Sequence, residues 1–320
     1  MRYVALLTLF YLGTALAAQE CTQAVPAIFL NETTREAVPS IAVERLHAKI
    51  GKVAIPVTAL EPIRSFRVLI LIDTSGSMDP SNKPFVHQRK ALELVKQVLD
   101  ELLEELPQYV RVEYGVFNKN ADFGPEFTAD PGSLRESLAA SSERTNIHRN
   151  KSTALYDALG AALERFGPPQ PGDSILILSD GGDNTSHAKP ENIQEEAARK
   201  GVRIFTALFL GGGVPSSPTE GSPQTMLDFA QGTGGSVHVI DVTKNDWVDD
   251  KNRENAKQEF RKFWRNQVIS GYLVRLKVPS DGAKPRKWFL AVDRAPGQQN
   301  RIILSYPSRL QACSVQSAVR

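Results

Sequence analysis

The stretch Val68-Leu69-Ile70-Leu71-Ile72 runs directly into Asp73-Thr74-Ser75-Gly76-Ser77, and this junction decides the fold class. Five consecutive apolar residues, rich in β-branched types, read as a strand covered on both faces, the kind found at the centre of a parallel sheet. Asp73 then stands where the strand ends, and in open α/β sheets ligands bind at that carboxyl end. The pentapeptide sets one carboxylate and two hydroxyls at alternate positions on a tight, glycine-containing turn. Asp73, Ser75 and Ser77 can therefore converge on one point. Hard oxygen donors suit a hard cation, Mg2+ first, with Mn2+ or Ca2+ as alternatives.

Outward from this junction, helix and strand patterns alternate. Ala91, Leu92, Val95, Val98, Leu99, Leu102 and Leu106 recur at three- and four-residue spacing, which predicts a helix ended by Pro107. Val110 to Phe117 reads as a strand, with a shorter one expected around Phe127. Ser141 to Ser152 reads as a polar loop, and Ala154 to Phe166 as a helix closed by Gly167-Pro168-Pro169. Ser174 to Leu178 is a second buried strand that again ends on a carboxylate, Asp180. A helix over Glu191 to Lys200, a strand over Val202 to Leu210, a short helix around Met226 to Gln231, a strand at Val237 to Ile240 and an amphipathic helix from Val248 to Val268 continue the series. The expected fold class is α/β, a doubly wound, mostly parallel sheet with helices on both faces.

The flanks read differently. Ile41 to Val57, Gly271 to Val278, Lys287 to Val292 and Ile302 to Tyr306 look like strands without intervening helices. Val274, Leu276 and Val278 alternate with Arg275 and Lys277, as in a half-exposed sheet. A small antiparallel β unit shared by the two flanks is expected. The expected organisation is a signal peptide over 1–17, an N-terminal β extension over 18–64, an α/β domain over 65–268 and a C-terminal β extension over 269–320. Gly211 to Pro218 reads as a mobile loop.

Arg2, the apolar stretch Tyr3 to Leu16 and the small-x-small pattern Ala15-Leu16-Ala17 read as a secretory leader cut after Ala17. Gln19 and Glu20 before Cys21 argue against a lipid-modified cysteine. No other segment is apolar enough to span a bilayer, so the mature chain is expected to be secreted or periplasmic without a transmembrane span. Loss of Arg2 with the leader takes the formal charge from +2 to +1, and near-neutrality argues against nucleic acid as the main partner. The only cysteines, Cys21 and Cys313, lie near opposite ends of the chain. An oxidising compartment invites a disulfide between them, worth about 5 kcal/mol in the chain-entropy model; unpaired or intermolecular thiols are the alternative.

Three places point at one end of the sheet: Asp73, Ser75 and Ser77 after the first buried strand, Thr153 at a helix start, and Asp180 after the second. Taken singly, each has a plainer role as a helix cap or turn residue. Together, the stretches Ile72–Met78, Lys151–Leu159 and Leu178–Asn184 resemble the von Willebrand factor type A domain, whose metal-ion-dependent adhesion site (MIDAS) combines Asp-x-Ser-x-Ser with a distant Thr and a distant Asp. The resemblance covers roughly Ser65 to Val268, and leader and flanks further resemble secreted bacterial proteins built around this domain. It implies Asp73, Ser75, Ser77 and Thr153 as metal ligands, Asp180 as a ligand directly or through water, and partner binding coupled in many relatives to movement of the metal loops and last helix. Lys151 departs from the pattern, since many members have Gly there. Asp157 is read as favouring the helix dipole.

Two carboxylates at most neutralise a divalent ion, so the site should attract an Asp or Glu carboxylate on a protein partner. The expected function is divalent-cation-dependent adhesion without enzymatic activity. A structural envelope scaffold, its metal only stabilising loops, is the alternative. A metal-dependent hydrolase is disfavoured: Gly-x-Ser-x-Gly and His-Glu-x-x-His are absent, and His148 and His187 lack an evident orienting partner in the sequence. Gly211-Gly212-Gly213 lacks dinucleotide-binding spacing. Nothing in the sequence sets the oligomeric state.

Overall fold

The computed structural model describes residues 20–76, 78, 86–104, 106–147, 152–210, 223–241, 250–279, 284–295, 297 and 300–312. Four strands come first: β1 (Glu20–Asn31), β2 (Leu46–Ile50), β3 (Val53–Ile55) and β4 (Val57–Pro62). The α/β segment follows as β5 (Phe66–Asp73), α1 (Val86–Glu104), β6 (Val110–Phe117), β7 (Ala121–Phe123), α2 (Pro131–Ile147), α3 (Leu155–Arg165), β8 (Asp173–Ser179), α4 (Pro190–Lys200), β9 (Arg203–Leu210), α5 (Pro223–Thr233), β10 (Val237–Asp241) and α6 (Asp250–Phe263). The chain closes with β11 (Tyr272–Pro279), β12 (Arg286–Val292), β13 (Ile302–Ser305) and β14 (Arg309–Leu310).

The apolar junction strand, β5, is central in a six-stranded sheet of order β10-β9-β8-β5-β6-β7. Its pairings with β6 and β8 are parallel, as are β8 with β9 and β9 with β10. Alternate side chains face opposite layers, which explains the uninterrupted apolar run. Val68, Ile70 and Ile72 pack with Val95, Val98 and Leu99 of α1 and Phe260 and Phe263 of α6. Leu69 and Leu71 pack with Leu159 and Leu163 of α3 and with Met226 and Phe229 of α5. Each fully buried aliphatic side chain contributes about 2 kcal/mol of gross hydrophobic stabilisation. The sheet is therefore doubly wound with helices on both faces, as the sequence predicts.

Several expectations need correction. The region read as a loop from Ser141 is helical through Ile147, because α2 starts at Pro131 and runs on. Its start signal is Asp130, whose carboxylate accepts from Ser133 N at 2.8 Å, followed by proline in the first turn. Among the described side chains of α2, Leu134 and Leu138 pack on the core, and the sequence of its second half, Ser141-Ser142-Glu143-Arg144-Thr145-Asn146, lacks the apolar periodicity that marks a helix. The short strand expected around Phe127 lies instead at β7, antiparallel to β6. Thr128 makes only an isolated bridge with Val112, and the Phe127 ring stacks near Phe166, with centroids 5.1 Å apart. The last helix passes at Trp264 into a π-helical turn ending at Val268. The Gly211 to Pro218 loop, His148, Lys151, Cys313, Val248 and the leader lie outside the described residues.

The flanking β unit is larger than expected. It comprises two four-stranded antiparallel sheets, β13-β1-β11-β4 and β14-β12-β2-β3, enclosing a third core of Val25, Ala27, Phe29, Leu46, Ala48, Val274, Leu276, Trp288 and Leu290. β1 was not expected from the sequence: it opens with polar residues and contains Pro26. At Pro26 it has a neighbour on one side only, since β13 pairs from Ile28 onward, and proline is tolerated in such places. Several contacts tie the sandwich to the α/β segment, among them those of Arg203 and Ser308. Arg203, fully buried, donates to the carbonyls of Ser270 at 3.0 Å and Val268 at 3.4 Å. Ser308 N donates to Gly232 O at 3.2 Å, and a Cβ on Gly234 would come within 2.6 Å of Pro307.

Candidate metal centre

Asp73 ends β5, and the chain returns from the far side of the sheet to place β8 next to it. The strand order reverses between β5 and β8, so the carboxyl ends of these two strands flank a topological switch point, where open α/β sheets bind ligands. Asp73 and Ser75 are fully buried, Thr153 is nearly so, and Asp180 is half-buried. Ser77 lies outside the described residues.

The Asp73 carboxylate is held on both oxygens. Oδ1 accepts from Ser75 N at 2.8 Å, and Oδ2 accepts from Ser179 Oγ at 2.6 Å. Burial, and next the negative charge of Asp180, push its pKa up to about 7, against the lowering effect of hydrogen bonds from Ser179 and Ser75. Asp180 directly follows Ser179, whose hydroxyl donates to Asp73, so both carboxylates belong to the same end of the sheet. Ser179 Oγ also accepts from Gly181 N at 2.9 Å, and Asp180 Oδ1 accepts from Gly182 N at 3.1 Å, so the turn after β8 is shaped around both carboxylates.

Thr153 joins the cluster through the same turn. Its N–H donates to Asn184 Oδ1 at 2.8 Å, and its carbonyl accepts from Asn184 N at 2.9 Å and Thr185 N at 3.1 Å. The first N–H groups of α3 are satisfied by this neighbouring segment: Leu155 N donates to Asp183 Oδ1 at 2.8 Å, and Tyr156 N to Ser186 Oγ at 3.0 Å. Thr153 therefore does not cap the helix, and its hydroxyl forms no hydrogen bond among the described residues. The loop after β6 supports the assembly from the other side. Thr74 Oγ1 and Ala154 N donate to the carbonyls of Phe117 at 2.8 Å and Asn118 at 2.7 Å.

Sequence reasoning did not single out Ser179, Asp183, Asn184 and Ser186. The available signal was the polar run Ser179–Ser186, dense in Asp, Asn and Gly beside an uncapped helix start. Asp157 does more than favour a helix dipole: its carboxylate accepts from Ala188 N at 2.8 Å and His187 N at 3.0 Å. His187, read as lacking an orienting partner, has Nδ1 3.1 Å from Asp157 Oδ2, yet its side chain is almost wholly exposed.

The donor set fits a hard divalent cation. Among the described residues, Asp73 has no cationic partner to offset its buried charge, and no group of three or more His, Cys, Asp and Glu side chains forms an alternative site. The carboxylates of Asp73 and Asp180 and the hydroxyls of Ser75 and Thr153 are all hard oxygen donors, a set suited to Mg2+ or Mn2+ and not to a soft metal.

Residues 68–182 match the family model described as the von Willebrand factor type A domain. A comparison with curated proteins finds no match. Among solved structures, the chain is similar to conserved hypothetical protein BatB from Bacteroides thetaiotaomicron, at 20% identity over 62% of this chain and 98% of that one, with a TM-score of 0.43. It is also similar to a von Willebrand factor type A protein from Catenulispora acidiphila, at 15% identity over 90% and 75% of the two chains and a TM-score of 0.43. Proximal thread matrix protein 1 from the mussel byssus, with a zinc-occupied MIDAS motif, matches at 14% identity over 68% and 50%, with a TM-score of 0.46.

Proposed function

We propose that this chain, whose residues 68–182 match the von Willebrand factor type A family model, is a secreted, non-enzymatic binding protein with a MIDAS that grips an acidic side chain of a protein partner through one divalent cation. Asp73, Ser75, Ser77 and Thr153 would hold the cation, with Asp180 acting directly or through water. A bound Mg2+ supplies an electrophilic position that a partner's Asp or Glu carboxylate can occupy. The observation that carries this reading is Asp73 itself: fully buried, beside a second carboxylate, at the sheet's switch point, and without a cation among the described residues.

Export accords with the apolar leader over 1–17, and no helix among the described residues is long and apolar enough to cross a membrane. A Cys21–Cys313 bridge belongs to the same reading. Gln23 Nε2 donates to Gln311 O at 2.8 Å, which brings the end of the described chain beside β1, and no described cysteine is free. The proposed boundaries of the binding domain are 65 and 268, with the β extensions 18–64 and 269–320 forming the sandwich. Calorimetric titration with Mg2+ tests the metal reading. Binding by the wild type and none by Asp73→Ala is the expected result, and equal titration of the two proteins overturns it. Peptide mapping without reductant tests the bridge, which two free thiols would exclude.

A further inference from the structure

The outer face of the sheet β14-β12-β2-β3 is turned away from the sandwich core and carries His47 and Lys49 on β2, Lys287 and Phe289 on β12 and Arg309 on β14, all exposed. Lys287 lies directly across from Arg309, and Lys49 across from Phe289. Like charges at a directly opposed cross-strand pair are unfavourable unless an anion intervenes. Among the described residues, Lys49, Lys287 and Arg309 form no ion pair. The carboxylate at the rim, Asp293, is engaged by His47 Nε2 at 2.7 Å. On the opposite rim, Arg309 borders a cleft of about 250 Å³ also lined by Glu191 and Glu195, so the cationic area is bounded there.

Phe289 sits in the middle of these cations, 49% exposed, with the Lys49 ammonium 5.0 Å from its ring centroid. We propose that this face is a docking platform for an anionic phospholipid bilayer. Three cations on one sheet face, without an ion pair among the described residues, complement a layer of phosphate headgroups. A half-exposed aromatic ring beside them gains from the headgroup–acyl boundary, while the long Lys stems let their charges stay in the polar layer. A soluble acidic polymer would satisfy the cations and leave Phe289 unserved.

Vesicle co-sedimentation of the full mature chain tests the proposal, using phosphatidylcholine alone and phosphatidylcholine with about one third phosphatidylglycerol. The wild type should pellet with the anionic vesicles only, equally in Mg2+ and in EDTA, and less as salt rises from about 0.05 to 0.15 M. Lys49→Gln and Lys287→Gln should each lower partitioning about fivefold, and Phe289→Ser should lower it at every salt concentration. These positions are exposed, and a thermal melt equal to wild type confirms that the variants fold. Asp73→Ala should bind vesicles as the wild type does, so failure of the metal site and failure of this platform are told apart. No sedimentation with anionic vesicles at low salt, full binding by the double Lys variant, or binding to heparin with none to vesicles would each overturn the proposal.

Discussion

Replacing Asp73 by Asn should stabilise the cation-free protein at alkaline pH while abolishing its response to Mg2+. An unfolded aspartate titrates near 3.8, whereas burial and Asp180 push the native group up to about 7. Between these values the native state binds more protons than the unfolded state, so this group makes stability fall as pH rises from about 4 to about 7. The difference of about three pKa units corresponds to about 4 kcal/mol of unfavourable charge burial above pH 7. Asn keeps an acceptor for Ser75 N, but its amide nitrogen stands where Oδ2 was and leaves the buried Ser179 hydroxyl without its acceptor, which costs about 2 kcal/mol relative to the neutral carboxyl. The net expectation for Asp73→Asn in EDTA is a gain of about 2 kcal/mol at pH 8 and a loss at pH 5, where the native carboxyl is already protonated. Urea unfolding at both pH values in EDTA reads this difference. Mg2+ at a hundred times its dissociation constant should add about 2.7 kcal/mol to the wild type and nothing to the variant. If Asp73→Asn is destabilised equally at pH 8 and pH 5, Asp73 does not hold an uncompensated charge and the argument for a cation site falls.

Other perturbations probe the surroundings. Ser186→Ala strips the acceptor from Tyr156 N and Asp157 N, and should cost about 1–2 kcal/mol in urea unfolding and weaken Mg2+ binding by loosening Thr153. His238, stacked on Phe263 with centroids 5.2 Å apart, has its pKa lowered by burial to about 4. Its unfolded form takes up a proton first, so its contribution is complete above pH 6.5 and up to about 3 kcal/mol is lost as pH falls towards 4; His238→Gln should flatten that part of the profile. Arg203→Met should destabilise by about 3 kcal/mol, because the carbonyls of Val268 and Ser270 lose their donor; a melting temperature unchanged from wild type would contradict the anchoring role.

The central sheet was legible because its strands are buried on both faces, and burial on both faces writes itself as unbroken apolar runs such as Val68–Ile72 and Ile175–Leu178. The carboxylates at the ends of those runs were legible for the same reason. The second half of α2 was not, since the polar run Ser141 to Asn146 carries no apolar periodicity. β1 was hidden by Pro26 and by a polar beginning, and its place depends on strands some 250 residues away, as in Glu20 opposite Pro279. The network of Ser179, Asp183, Asn184 and Ser186 escaped notice because its hydrogen bonds join a loop to a helix start about thirty residues earlier, a closure that only the β5–β8 adjacency creates.

That long-range placement of β1 governs how the chain can be made. Its first strand lies between β11 and β13, both synthesised after the whole α/β segment. During vectorial emergence, most of β1 waits with its hydrogen-bonding edges bare until β11 and β13 arrive, a state prone to mispairing. A product cut short before Tyr272 would keep every strand of the central sheet yet expose β1 along its full length. Arrival of β11 and β13 thus separates a molecule with β1 covered from one that offers it to other chains.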